Sequence, residues 1–428
     1  MSKTISRRAI LKNAATSFAI PYLVPSSVFG TGSIPPPSER ITMGCIGMGG
    51  QGTAGMGWRT AVGVPNTGWV PKGGFMARGV KVLAVCDVNT NNLTRAKSIV
   101  DQEYGNTDCT AYKHYQALLA RPDIDIIICA TGDRWHTPIS IAAAKAGKDI
   151  YCEKPISLTV YEARELAKAV KRYGRIFQTG TQQRSAREFR FACELVQNGY
   201  IGDLKHITVN VGGGPKDCNL PAQGSPPHWL DYDIWLGQAP WRPFHPAILG
   251  WMAWRDYSGG EMTNWGAHHF DVAQWGSGFE TSGPTEIIPP NGKEVKVLTY
   301  VYPNGVTMTR EATCNGVKFT GTEGWVEVNR GHLKTYPESL LQQKIGPNES
   351  HLHLSHDHHL DFLKAVKDRT RPASDADIGY RSISVCHLGN IAYQLKRPLK
   401  WNPEQEAFVN DPEADRLLWR EMRAPYTI

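Results

Sequence analysis

The sequence predicts an α/β protein whose N-terminal part is a doubly wound parallel sheet, and three observations carry that expectation. An apolar stretch with Ile41, Met43, Cys45 and Ile46 breaks into Gly47-x-Gly49-x-x-Gly52 and a small-residue run able to open a helix. A second β-rich run, from Val80 to Cys86, ends in Asp87. Strand-like and helix-like segments then alternate as far as Gly174, a rhythm that builds parallel sheets with helices on both faces.

The glycines are spaced as a dinucleotide fold requires. The first permits a tight turn, the second lets backbone approach a pyrophosphate, and the third lets helix and strand pack closely. A helix start there turns free N–H groups toward phosphate. Gly47, Gly49, Gly50, Gln51 and Gly52 are therefore candidate cofactor contacts. A carboxylate at the end of the next strand can accept ribose hydroxyls and repels an added phosphate, so Asp87 favours NAD and leaves NADP open. Asp87 lies 35 residues after Gly52, where roughly 20 is usual. The surplus reads as a loop over Val64–Gly74, broken by Pro65, Gly68, Pro71, Gly73 and Gly74.

Further along, Asn92 to Tyr104 and Tyr112 to Ala120 have helical character, and Asp123 to Ala130 is an apolar strand. Thr137 is placed to cap a helix with Pro138 at its first position. Asp149–Cys152 is the next strand, ending in Glu153-Lys154-Pro155, and Thr159-x-x-Glu162 is a capping box. Ligands on such sheets sit beyond the carboxyl ends of the strands, which draws attention to Asp87, Thr131, His136 and Lys154. After Gly174 the signals change. Ile176 to Arg184 is a strand and polar turn, and Ile207, Val209 and Val211 alternate as a strand does. Aromatic residues crowd 228–257, and a helix is expected from Thr263 to Trp275. Hairpin turns are expected at Pro303-Asn304-Gly305, Asn315-Gly316 and Gly321–Gly324, then helices near His359–Lys367 and Ile378–Leu395.

Composition narrows the function. Hydrophobic residues make up 41% and charged residues 20%, as in soluble globular chains. Ser6-Arg7-Arg8-Ala9-Ile10-Leu11-Lys12, before an apolar stretch, resembles a twin-arginine export signal, which places the protein in the periplasm. The formal charge is +7, of which Lys3, Arg7, Arg8 and Lys12 supply +4, leaving +3 on residues 31–428. That gives no basis for nucleic-acid binding. The nine cysteines show no metal-type pairing and read as buried thiols without a disulfide framework. His351, His353, His356, His358 and His359 lack the spacing of a zinc or facial-triad site, so no metal is expected.

Gly47–Gly52, Glu153-Lys154-Pro155, Gly180–Arg184 and Gly259-Gly260-x-x-x-Asn264-x-Gly266-x-His268-x-x-Asp271 together resemble the Gfo/Idh/MocA oxidoreductases, over about Ile41 to Trp401. The resemblance implies a Rossmann dinucleotide-binding domain followed by an α+β domain with an open, mostly antiparallel sheet that serves assembly into a homo-oligomer. The expected divisions are a signal peptide at 1–30, a linker at 31–39, the Rossmann domain at 40–160, the α+β substrate domain at 161–400 and a tail at 401–428. It further implies that Lys154 lies beside the nicotinamide and the reacting carbon, with a cis bond to Pro155, and that His268 is a general base or an orienter of the substrate hydroxyl. Glu153, His136 and Gln182 are expected along the cofactor, and Asn264, Asp271, Arg255 and Tyr257 toward the substrate. Asn264 departs from the family's usual aspartate, and an amide cannot take a proton, which moves the acid–base work to Lys154 and His268. The expected activity is NAD-dependent oxidation of a secondary hydroxyl of a sugar or polyol. The alternatives are an NAD-dependent glycosidase working by transient oxidation and elimination, and a non-catalytic dinucleotide- and sugar-binding protein.

Overall fold

The parallel sheet is present, and its strand order fixes where a ligand can lie. The structure, a computed structural model, describes residues 39–57 and 73–428; the export segment, most of the linker and residues 64–72 of the expected loop lie outside them. Six strands, β1 Thr42–Ile46, β2 Lys81–Cys86, β3 Thr110–Tyr112, β4 Ile126–Cys129, β5 Asp149–Cys152 and β6 Phe177–Thr179, run in the order β3-β2-β1-β4-β5-β6. Every pairing is parallel. The order reverses between β1 and β4, and the crevice of a doubly wound sheet opens at such a point. Strands β4 and β5 are buried along their whole length, because helices cover both faces and leave no polar side to alternate.

Two local expectations change and one holds. The helix after β4 spans Asp133–Lys145, so Pro138 lies inside it and Thr137 does not cap it. Proline lacks the N–H that would bond the carbonyl of Arg134 four residues earlier. The Gln238 side-chain amide donates to that carbonyl instead, a partner 104 residues away that no local rule anticipates. The Thr159 capping box holds: Thr159 Oγ1 accepts the Glu162 N–H at 3.1 Å, and Glu162 Oε2 accepts the Leu158 N–H at 2.7 Å. The helix expected from Thr263 divides into Glu261–Asn264 and Gly266–Ser277.

A second sheet of nine strands follows. It contains β7 Leu204–Val209, β8 Glu286–Ile288, β9 Leu298–Val301, β10 Thr307–Arg310, β11 Val317–Gly321, β12 Trp325–Asn329, β13 His332–Tyr336, β14 Leu399–Asn402 and β15 Ala407–Phe408. Its order is β13-β12-β11-β7-β10-β9-β8-β14-β15, antiparallel except between β7 and β10. The turns at Pro303–Gly305 and Gly321–Gly324 join paired neighbours. Asn315-Gly316 does not make a hairpin, since β7 lies between β10 and β11; a turn residue signals a reversal, not which strand fills the gap. Helix Gly266–Ser277 packs on this sheet with nearly every residue buried, and helix Ala376–Leu395 packs against both it and helix Val160–Arg172.

The division at 160 also moves. Phe177–Thr179 completes the parallel sheet by pairing with β5, so that layer continues to 179. Nor is 401–428 a free tail. Trp401 is buried in the core, Arg423 pairs with Asp233 at 2.6 Å and Arg420 donates to the Asp256 carbonyl. Residues Ile41–Ile428 form one compact unit. All nine cysteines are free, and eight of them are buried. Among the described residues no helix is long and apolar enough to cross a membrane.

Candidate functional site

A cavity of about 350 Å³ opens at the carboxyl ends of β1, β2 and β4, lined by the glycine turn, Asp87, Thr131 and Arg134, and roofed by Trp235 and Trp251. Two of the glycines are demanded by the protein itself. Gly47 has φ +85°, and a Cβ on Gly52 would fall 1.9 Å from the Gly47 carbonyl oxygen. Gly49 and Gly50 line the cavity, and a Cβ on either would meet nothing within 4 Å. Packing does not require those two to be glycine, so open backbone there suits close approach of a ligand. Asp87 closes the wall. Its Oδ2 accepts the Met48 N–H at 2.6 Å and its Oδ1 accepts the Asn89 N–H at 2.8 Å. Burial raises the Asp87 pKa, and these hydrogen bonds oppose the rise.

Beyond β5, Lys154 Nζ donates to Asn264 Oδ1 at 2.6 Å, and the Lys154–Pro155 bond is cis. Asn264 Nδ2 donates in turn to Glu261, at 3.1 and 3.3 Å, which fixes the amide with its oxygen toward the lysine. Burial lowers the Lys154 pKa against the opposing pull of Glu153 and Asp133. His268 is buried, with Nε2 3.3 Å from Arg330 Nη2 and Nδ1 without a partner. A guanidinium only donates, so Nε2 is the acceptor and the ring proton sits on Nδ1. Burial first, and then the charges of Lys154 and Arg330, hold the His268 pKa well below its ordinary value. The neutral ring therefore presents an N–H, which suits an orienter of oxygen better than a base.

Other expected contacts are turned elsewhere. His136 has a carbonyl oxygen at each ring nitrogen, Pro155 at 2.6 Å and Thr131 at 3.1 Å, and so braces the Lys154 turn. Glu153 Oε1 accepts from Gln51 at 2.9 Å and from Gln182 at 3.2 Å. Glu153 and Gln182 thus tie the glycine turn to β5 from behind, while Gln51 alone of the three lines the cavity. The Asp271 carboxylate is taken up by protein partners. It sits in a buried ion pair with Arg184 at 2.6 and 2.8 Å and accepts from Ser382 at 2.6 Å. Arg255 pairs with Asp217 at 2.7 Å. Tyr257 is fully buried in a small cluster with Leu236, Phe244 and Ile248. His269 has its ring 5.5 Å from Trp265 and its Nδ1 on the Asn210 carbonyl.

His358 bonds the Thr179 carbonyl at 2.8 Å and Ser185 at 2.7 Å, and His359 stacks on Phe75. These two histidines pack helix His358–Asp368 onto the parallel sheet. Among the described residues the group of potential metal ligands within 4.8 Å of one another is Cys129, His136 and Cys152; both nitrogens of that histidine are already engaged.

Sequence reasoning missed Asp133 and Arg134. The Asp133 carboxyl is buried, accepts from Ser258 Oγ at 2.7 Å, and is pushed up to about 7 by burial against the pull of that bond and of Lys154. Their one signal was two charges directly after the Thr131-Gly132 strand end.

A family model described as an oxidoreductase NAD-binding Rossmann fold matches residues 61–181, and its C-terminal alpha/beta counterpart matches 216–428. The chain belongs to the Gfo/Idh/MocA oxidoreductase family. The model over residues 61–181 describes that part as an NAD-binding Rossmann fold. The chain is 28% identical over 163 residues to an inositol 2-dehydrogenase/D-chiro-inositol 3-dehydrogenase of Lactiplantibacillus plantarum, covering 37% of this chain and 45% of that one. It is also 28% identical over 209 residues to a glycosyl hydrolase family 109 protein of Shewanella, covering 47% and 41%. The match thus spans less than half the length of these curated relatives. Among solved folds it resembles an aldose–aldose oxidoreductase of Caulobacter crescentus (TM-score 0.56, 18% identity, 85% of this chain and 100% of that one) and GenD2 of gentamicin A biosynthesis, solved with NAD (TM-score 0.56, 17% identity, 89% and 99%). At these identities the likeness is one of fold.

Proposed function

We propose that the protein is an NAD-dependent oxidoreductase acting on a secondary hydroxyl of a sugar or polyol. The observation that carries it is the Lys154–Asn264 hydrogen bond, which holds an amine of lowered pKa beside His268 beyond β5. Gly49 and Gly50 admit the pyrophosphate of the dinucleotide, and Asp87 meets the adenosine ribose and disfavours NADP. When bound, the nicotinamide supplies the hydride acceptor. Lys154 Nζ takes the hydroxyl proton, for which an amine with a pKa brought toward neutrality is suited. His268 Nδ1–H and Asn264 orient the oxygen. The dehydrogenases of inositols among its relatives support this substrate class.

The Ser6–Lys12 signal supports export by the twin-arginine route, which carries folded proteins. The periplasm has no dependable free NAD, so the cofactor travels bound and is reset on the protein. Either a second carbonyl compound is reduced, or one sugar is oxidised, cleaved and reduced again. The glycosyl hydrolase family 109 relatives, matched over a longer stretch than the inositol dehydrogenase, favour giving the second route a place. Assembly through the nine-stranded sheet is supported by the directly paired Trp325 and Tyr336, the latter 62% exposed.

The test is to purify the protein without added cofactor, denature it and count nicotinamide per chain, then follow the reduced-nicotinamide band of the intact protein against a sugar and polyol panel. Near-stoichiometric NAD and a sugar-dependent band are expected. A protein that turns over only with excess free NAD and releases NADH each time overturns the closed cycle; a band that no sugar alters overturns the redox reading. Release of an aglycone without net NADH selects the glycosidase route.

A further inference from the structure

Arg134 carries a buried charge whose partner is missing. Its side chain is 2% exposed and its guanidinium lies between two rings, 4.3 Å from Trp235 and 4.9 Å from Tyr257. Nε donates to the Trp235 carbonyl at 2.9 Å, and Nη2 donates to the same oxygen. Nη1 is buried, with no hydrogen-bond partner among the described residues. Burial brings the Arg134 pKa down to about 9; Tyr257 and the neighbouring Asp133 oppose the fall and the charge of Arg420 adds to it, and the group stays charged at neutral pH. A buried charge without a counter-ion costs several kcal/mol, so a fold that keeps one is built to receive an anion.

Where that nitrogen lies narrows the anion. Nη1 sits against Gly132, where an added Cβ would be 2.9 Å away. Gly132 caps helix Asp133–Lys145, so the site adjoins the start of a 13-residue helix. Arg134 and Gly132 line the same cavity as Gly47, Gly49 and Gly50. The Trp235 side of the sleeve belongs to a segment bound down over the cofactor side of the sheet: Thr90 N–H donates to the Trp229 carbonyl at 2.8 Å, Asp231 N–H to Val88 at 3.0 Å, and Trp135 Nε1 to Ile234 at 3.1 Å.

Resting on the dinucleotide reading above, we propose that Arg134 Nη1 is the counter-ion of the cofactor diphosphate, and that the 229–257 segment, by holding the guanidinium at Trp235, contributes to cofactor retention. Release of the dinucleotide would strand a charge under two aromatic rings. The cofactor then leaves slowly, as an exported NAD enzyme requires.

The experiment titrates the full-length chain, freed of nucleotide, with adenosine, ADP and NAD, following tryptophan fluorescence. A guanidinium that addresses phosphate affects ADP and NAD and spares adenosine. In Arg134→Gln the ADP-to-adenosine affinity ratio should fall by about 10–100-fold, the range for a hydrogen bond to a charged group, and NAD should dissociate correspondingly faster. Arg134→Lys, which keeps the charge on a stem of similar packing, should show a smaller fall and serves as the reading if the glutamine variant does not fold. Equal loss for adenosine and ADP, or no loss, makes Arg134 a packing residue and overturns the proposal while leaving the dinucleotide site intact. A wild-type chain that binds none of the three overturns the dinucleotide reading and this proposal with it.

Discussion

Lys154 and Asn264, 110 residues apart, meet in a 2.6 Å hydrogen bond in which the ammonium donates to the amide oxygen. The bond is neutral on one side, so it holds the lysine without the countercharge an aspartate would supply. An amine held this way gives up its proton more readily than one in an ion pair.

Lys154→Met should therefore leave cofactor binding intact and abolish sugar-dependent reduction of bound NAD. Asn264→Asp should form an ion pair, raise the Lys154 pKa and move the pH–rate profile toward alkaline pH. Equal reduction by the methionine variant and the wild type would remove the lysine from the mechanism.

Asp87→Ser should weaken NAD and narrow its advantage over NADP. Because Oδ2 also holds the Met48 N–H, the loss should exceed that of a ribose contact alone. Comparing adenosine with NAD separates the two parts: a turn loosened at Met48 costs NAD more.

The Arg184–Asp271 pair is buried on both sides. Asp271→Ala leaves Arg184 with only the more exposed Glu280 and should lower stability by roughly 3–5 kcal/mol, read from urea unfolding. A surface-like loss of under about 1 kcal/mol would show the pair to be dispensable.

His136, His269 and His387 are each lowered from 6.5 to about 4 by burial. The folded state holds them neutral, so their contribution is full above the unfolded value and is lost as pH falls toward about 4. Urea midpoints should drop across that window. His387→Gln, away from the cavity, should flatten the drop; an unchanged slope would assign acid sensitivity to the other groups.

Much of the site was legible because its signals are local. The glycine spacing dictates a turn, a strand ending in Asp87 puts a carboxylate at the crevice, and the Glu153-Lys154-Pro155 turn follows an apolar strand. Asp271, Arg255 and Tyr257 were legible only as polar residues near the Gly259–Asp271 run. Which of them faces a ligand depends on Arg184, Asp217 and the cluster around Leu236, and none of those partners is marked by spacing. The ring of His136, which follows a strand end, is likewise set by a distant partner, the Pro155 carbonyl.

The sequence by itself determined the parallel sheet, the placing of the glycine turn, Asp87 and Lys154 at strand ends, and the hairpins at Pro303–Gly305 and Gly321–Gly324, because periodicity and turn chemistry act over a few residues. Tertiary structure decided that Pro138 lies inside a helix, that Phe177–Thr179 belongs to the first sheet, that His268 keeps its proton on Nδ1 and that Arg134 is left with an unmatched charge. Each of these depends on a partner far along the chain: Gln238, β5, Arg330 and the Trp235 carbonyl. Burial and charge pairing are properties of neighbours in space, and the folded chain alone chooses them.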